Sequence, residues 1–178
     1  MAESSSPSIQ PPIRHLQAVV DLLEKPALAR VYAHVLHHGP VTVSDLVDAT
    51  GVPQGTAYDY IQQLDAAGLV ARTRDQRPYE YDADPISLEI SAGGETQAIT
   101  PALIAAVARR EDNEDIDVFI ERHGLDGLAD AVEYALEYVE GTVNHRIAAR
   151  ELELSPLEAE IILQALEPVA TTYADSAP

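Results

Sequence analysis

Apolar residues recur at intervals of three and four from Ile13 to His38, at Leu16, Val19, Val20 and Leu23, then Leu28, Val31, Tyr32, Val35 and Leu36. That spacing predicts amphipathic helix, and Pro26 fits the first turn of a new one, so the segment reads as two helices or one kinked helix. Gly39-Pro40 ends it. In "VTVSDLVDATG", Ser44 is the expected cap of a short helix that turns Leu46, Val47 and Ala49 inward. Gly51 suits a left-handed turn, after which Ala57, Ile61 and Leu64 mark the buried side of a second helix from about Pro53 to Ala67, closed by Gly68.

The period then changes. "LVARTRDQRPYEYDADP" alternates and turns at Asp75-Gln76-Arg77-Pro78, the pattern of a β-hairpin, and "ISLEIS" with "TQAI" predicts a second strand pair. From Thr100-Pro101 onward the chain is helical in pattern: "PALIAAVARR", "IDVFIERHG", "LADAVEYALEYVEG", "NHRIAARELEL" and "PLEAEIILQALEPVATTYA". The expected organisation is a disordered Ser- and Pro-rich N-terminus (1–12), a compact unit (13–84), a β-hairpin connector (85–99) and a helical region (100–173). The fold class is mainly α with a small β-hairpin wing.

Helix, short helix, tight turn, helix and hairpin is the order of a winged helix-turn-helix. "TVSDLVDATGVPQGTAYDYIQQLDAAGLVARTRDQRPYEY" resembles the DNA-binding domains of prokaryotic regulators of the MarR, ArsR and TrmB type, with Leu46, Gly51, Val52, Thr56, Ala57, Leu64, Gly68, Leu69 and Val70 in step. The resemblance implies that the second helix enters the major groove of a duplex. The residues it would present are Pro53, Gln54, Gly55, Thr56, Tyr58, Asp59 and Gln62. Gln54 has the chemistry to bond a base edge, and Thr56 or Tyr58 to meet a phosphate or a thymine methyl. Arg72, Arg74 and Arg77 would hold the backbone or minor groove from the wing. Regulators of this type often carry cations where this chain has Asp59 and Gln62.

Composition sharpens the question. Thirty acidic residues face eleven basic ones, for a net charge of −19, and Lys25 is the only lysine. Residues 1–84 hold six basic and eleven acidic residues, net −5, and residues 85–178 five and nineteen, net −14. The acids are spread over periodic, apolar-rich segments, a distribution resembling that of halophilic archaeal proteins, whose carboxylates keep the surface hydrated in concentrated salt. Three of the eleven cations fall within Arg72–Arg77, a local exception that favours nucleic acid.

With no cysteine, disulfides, thiolate metal sites and thiol nucleophiles are excluded. No apolar run approaches membrane-spanning length, and "MAESSSPSIQPP" lacks the blocks of a signal peptide, so a cytoplasmic protein with no membrane contact is expected. No catalytic constellation or cofactor motif stands out, and an enzyme is not expected. The reading is a sequence-specific, double-stranded-DNA-binding transcription regulator acting as a homodimer, with the C-terminal helices serving dimerisation, sensing or a protein partner. Two alternatives stand beside it. A winged helix can serve as a protein-interaction module, here with an acidic recognition face. A metal-responsive sensor would use His34, His37 and His38, which share helical spacing, although solvated or core histidines explain them as well.

A faint internal repeat remains. Shifting the first motif by 102 residues aligns Leu46 with Ala148, Val52 with Leu154, Ala57 with Ala159, Ile61 with Leu163 and Leu64 with Leu166. The turn glycine Gly51 becomes Glu153, so residues 148–166 are a candidate second helix-turn-helix without its usual punctuation.

Overall fold

The computed structural model describes residues 12–175. The N-terminus expected to be disordered therefore lies outside the described residues, apart from Pro12, which opens the first helix. Two helices cover the first periodic segment: α1 (Pro12–Glu24) and α2 (Pro26–His38). Lys25 intervenes in extended geometry, and Pro26 sits at the first helical position, where its missing N–H costs nothing. Ala18, Val19 and Leu22 carry the buried side of α1. Leu16 and Val20, expected inward, are instead 45% and 43% exposed, and with Ile13 they form a stripe that one chain leaves uncovered.

Next come β1 (Val41–Thr42), α3 (Val43–Thr50), α4 (Gln54–Ala66), β2 (Val70–Arg72) and β3 (Glu80–Ala83). The sheet order is β1-β3-β2, antiparallel, with Val41 opposite Tyr81 and Arg72 opposite Tyr81 from the other side. The expected cap of α3 is corrected by this pairing. β1 delivers Thr42, not Ser44, to the cap position, one strand residue before the helix begins. Thr42 Oγ1 accepts the Asp45 N–H at 3.2 Å, and the Asp45 carboxylate accepts the Thr42 N–H at 2.9 Å, a reciprocal capping box. The Thr42 N–H and, at 2.8 Å, the Thr42 hydroxyl both donate to the Asp45 carboxylate and hold it below its ordinary range. Ala49 is likewise exposed, and Thr50 takes the buried place, its hydroxyl donating to the Leu46 carbonyl at 2.6 Å.

Gly51 adopts φ 70, ψ 6, the left-handed conformation the turn requires, and Val52 then buries beside Leu46. Ala57, Ile61 and Leu64 anchor α4, as their spacing predicts.

A second sheet, β4 (Leu88–Ala92) with β5 (Glu95–Ile99), precedes α5 (Pro101–Ala108), α6 (Glu114–Val139), α7 (His145–Glu151) and α8 (Pro156–Ala174). The two helical patterns on either side of residue 124 are the halves of α6, broken where Gly124 takes φ 71, ψ −175. α8 packs along α6, and α5 packs on α2, so among the described residues one continuous core joins the winged unit to the C-terminal helices. Tyr32 is fully buried in that core. Its hydroxyl donates to the Asp84 carbonyl at 2.8 Å and accepts the Ile86 N–H at 2.9 Å, tying α2 to the chain leaving the wing. Burial pushes its phenol far above the usual tyrosine range. Among the described residues no helix is long and apolar enough to cross a membrane.

Candidate nucleic-acid interface

Docking α4 through Ala57, Ile61 and Leu64 fixes which residues face outward. Pro53, Gln54, Gly55, Tyr58, Asp59 and Gln62 are exposed, and Thr56 is half-buried, so six of the seven expected recognition-helix residues present themselves. Tyr58 is 44% exposed, a large ring left in solvent.

The wing brings one of its cations, Arg77, to the same side. A concave surface of about 580 Å³ lies between the start of α3, the first turns of α4 and the wing, lined by Thr42, Ser44, Gln54, Tyr58, Arg77 and Tyr79 among others. Arg77, Gln54 and Tyr58 therefore share one groove. No carboxylate lines it. In a chain with thirty acidic residues that is a strong local departure.

The three arginines differ in what surrounds them. Arg72 Nη2 lies 3.3 Å from Asp75 Oδ1, and Arg74 Nη1 lies 3.6 Å from Glu80 Oε1. Both pairs are exposed at the surface, where an ion pair is worth about 0–1 kcal/mol, so a phosphate can compete for either guanidinium. Arg77 has no carboxylate partner among the described residues. Its guanidinium carbon lies 5.8 Å from the centre of the Tyr79 ring, and that of Arg72 lies 4.7 Å from the same ring. Tyr79 thus has two arginines against its ring, a positioning role that sequence reasoning missed. The signal was present: an aromatic two residues after Arg77, across the turn from Arg72. Ser44, expected as a cap, is freed to line the groove.

The three histidines of α2 lie side by side on one concave surface of about 290 Å³. Among the described residues no group of three or more His, Cys, Asp or Glu side chains is arranged to hold a metal ion. The His34 and His38 rings stack at 4.5 Å, while His37 turns to Tyr173 of α8 at 4.8 Å. Partial burial, with mutual repulsion added, holds His34 and His37 below the ordinary imidazole range. They pack the seam between α2 and α8 and lie away from the groove. Beside them Arg30 donates to the Thr50 carbonyl at 3.4 Å and pairs with Asp112 at 3.0 Å, joining the end of α3 to the chain ahead of α6.

A short helix, a left-handed turn, a second helix with an open face and a two-stranded wing define a winged helix-turn-helix protein. Residues 25–87, from α2 through the wing, match the family model described as Sugar-specific transcriptional regulator TrmB, so this part of the chain is similar to transcription-regulator domains of that type. Residues 110–175 match a second model, described as Family of unknown function (DUF7437). No curated protein and no solved structure matches the chain.

Proposed function

We propose that the protein is a sequence-specific regulator that binds double-stranded DNA as a homodimer, with α4 in the major groove and the wing on the backbone or adjacent minor groove. One observation carries this reading: the groove between α4 and the wing contains Arg77 and no carboxylate, although acids crowd the rest of the surface. Gln54 supplies a donor–acceptor pair for a base edge, and Thr56, Tyr58 and the free N–H groups at the start of α4 meet phosphate. Pro53 and Gly55 keep the approach to the backbone clear, and Asp59 and Gln62 complete the face. The exposed stripe of Ile13, Leu16 and Val20 gives a second copy an apolar surface, and the helices after residue 100 serve dimerisation or sensing. A two-fold dimer suits a palindromic operator. The acidic surface outside the groove suits a concentrated-salt interior, where carboxylates hold water.

Immunoprecipitation in native salt, followed by sequencing, supplies the operator, and fluorescence anisotropy on that duplex measures binding. Gln54→Ala is expected to relax discrimination at one base pair by about 1–3 kcal/mol. Equal affinity of the native chain for operator and scrambled duplex would remove the claim of specificity.

A second reading draws on the wing's charge balance. Residues 70–83 contain Arg72, Arg74 and Arg77 against Asp75, Glu80 and Asp82, a formal sum of zero. A winged helix of that balance, with Asp59 on its face, also suits a basic protein partner. Simultaneous Ala substitution of Arg72, Arg74 and Arg77 separates the two, because only the first reading has DNA affinity to lose.

A further inference from the structure

The chain contains the helix-turn-helix backbone twice. Glu153, at φ 55, is the only non-glycine residue with positive φ among the described residues, and it occupies the position that corresponds to Gly51 at φ 70 under the 102-residue shift. Two residues on, Pro53 (φ −56, ψ 145) and Ser155 (φ −64, ψ 151) open the following helix in the same geometry. The buried positions also match: Leu46 with Ala148, Ala57 with Ala159, Ile61 with Leu163 and Leu64 with Leu166. α7, the turn at Leu152–Leu154 and α8 therefore repeat α3, its turn and α4.

The outward faces differ in kind. Where α4 presents Gly55, Thr56, Asp59 and Gln62, α8 presents Leu157, Glu158, Ile161 and Gln164. Leu157 is 67% exposed and Ile161 40%. They border a groove of about 350 Å³ between α8 and the first half of α6, floored by the buried rings and chains of Phe119 and Ile162. Glu114 and Asp115 stand on its rim. Glu158 already receives His123 at 2.8 Å and Arg122 at 3.7 Å, whereas neither Glu114 nor Asp115 has a basic partner among the described residues. Arg122 also lines the groove, 3.7 Å from Glu158, so three carboxylates face one guanidinium around an apolar floor, a balance that repels phosphate.

We propose that this second helix-turn-helix is a protein-docking surface whose partner is an amphipathic segment with bulky apolar side chains flanked by Lys or Arg. The apolar side chains would seat against Leu157, Ile161 and the Phe119 floor, and the cations against Glu114 and Asp115. A second copy is the poorer occupant on charge alone, since residues 85–178 carry a net −14 that two copies would bring together. The proposal deepens the expected protein partner of the C-terminal helices and is independent of the wing's arginines.

The test uses the full chain and a dye-labelled synthetic helix carrying leucines at helical spacing with lysines alongside, read by anisotropy. Two control peptides exchange the lysines for glutamates or the leucines for serines. The Leu/Lys peptide is expected to bind and both controls to fail. Leu157→Ser with Ile161→Ser should weaken binding at least about tenfold, the size expected of central apolar anchors. Glu114→Gln with Asp115→Asn, which leaves every apolar contact in place, should weaken it severalfold. Operator affinity should be unchanged in both variants. Three results overturn the proposal: equal peptide binding by the native chain and the serine variant, conversion of a dimer to a monomer by the serine pair, or loss of operator binding with it. Arg77→Ala, which tests the DNA reading, should leave the peptide titration untouched, so failure of one is separable from failure of the other.

Discussion

Arg77→Ala tests the DNA reading with the fewest confounding contacts. Arg72 and Arg74 must release Asp75 and Glu80 before they can serve a phosphate, so each contributes a difference between two ion pairs. Arg77 faces no carboxylate among the described residues and sits in the acid-free groove with Gln54 and Tyr58. Each phosphate neutralised contributes about 0.9 to the slope of log affinity against log salt. One such contact per subunit makes the dimer's slope fall by about 1.8 in Arg77→Ala. A charge-assisted hydrogen bond is worth about 1.5–3 kcal/mol, so with exposure reducing it, a loss near tenfold per subunit is expected. Anisotropy on the operator duplex across a KCl series measures both. Arg77→Lys should keep the slope yet bind less well, because ammonium lacks the flat face that lies against Tyr79. Asp75→Asn with Glu80→Gln should strengthen binding by freeing the other two guanidiniums. Parallel salt plots and equal affinities for the native chain and Arg77→Ala would refute the assignment of the groove to DNA.

Three further outcomes follow from the scaffold. Gly51→Ala places a Cβ at φ 70 with no atom within 4 Å, so its cost is conformational, about 1–2 kcal/mol in urea denaturation, and the matched Glu153→Gly should stabilise by about 0.5–1 kcal/mol. Thr42→Ala should cost about 1 kcal/mol through loss of the cap. The Asp45 carboxyl titrates lower folded than unfolded, so its contribution is present above the ordinary carboxylate pKa and lost as pH falls through the lowered value. The acid limb of the stability curve should therefore flatten in Asp45→Asn, and only in part in Thr42→Ala, whose backbone N–H still donates to the carboxylate. His34 and His37 titrate below the ordinary value of about 6.5 when folded, so the unfolded chain takes up protons first and stability falls as pH drops through that value. Melting temperature measured from about pH 7 to 5 should change less in His34→Gln with His37→Gln than in the native chain, and an unchanged slope would show that the two rings titrate freely.

The winged helix was legible because local rules and burial agree there. Gly51 is needed at its left-handed turn, and Ala57, Ile61 and Leu64 fall on one side of α4. The cap of α3 was misread because Ser44 and Thr42 are both good caps, and only the pairing of β1 with β3 settles which one stands at the helix start. The reciprocal Thr42 and Asp45 spacing was the available signal. Leu16 and Val20 follow helical periodicity yet stay exposed, since period alone cannot tell a core stripe from an uncovered one. The wing's ion pairs join residues three and six apart and were within reach of the sequence. The groove was not, because Ser44, Gln54, Tyr58 and Arg77 meet only after the sheet closes.

Net charge is a poor guide to whether such a chain can hold DNA, because a duplex meets a face and not a sum. The residues lining the groove beside α4 include an arginine and no carboxylate, while those lining its structural counterpart beside α8 include Glu114, Asp115 and Glu158, with Arg122, around apolar residues. The two units share turn, cap geometry and buried positions, so backbone shape cannot account for the difference. Glu153 sharpens the point: it takes the left-handed turn without glycine, so packing of Ala148, Ala159, Leu163 and Leu166 must hold that turn against its local cost. Transplanting Gln54, Thr56 and Tyr58 onto Pro156, Glu158 and Glu160 would therefore leave the second unit folded and its groove still acidic at Glu114 and Asp115. If that chimera gained operator affinity through α8 at the native salt, helix shape would outweigh the local field. The charge argument that assigns the first groove to DNA and the second to protein would then fail for both.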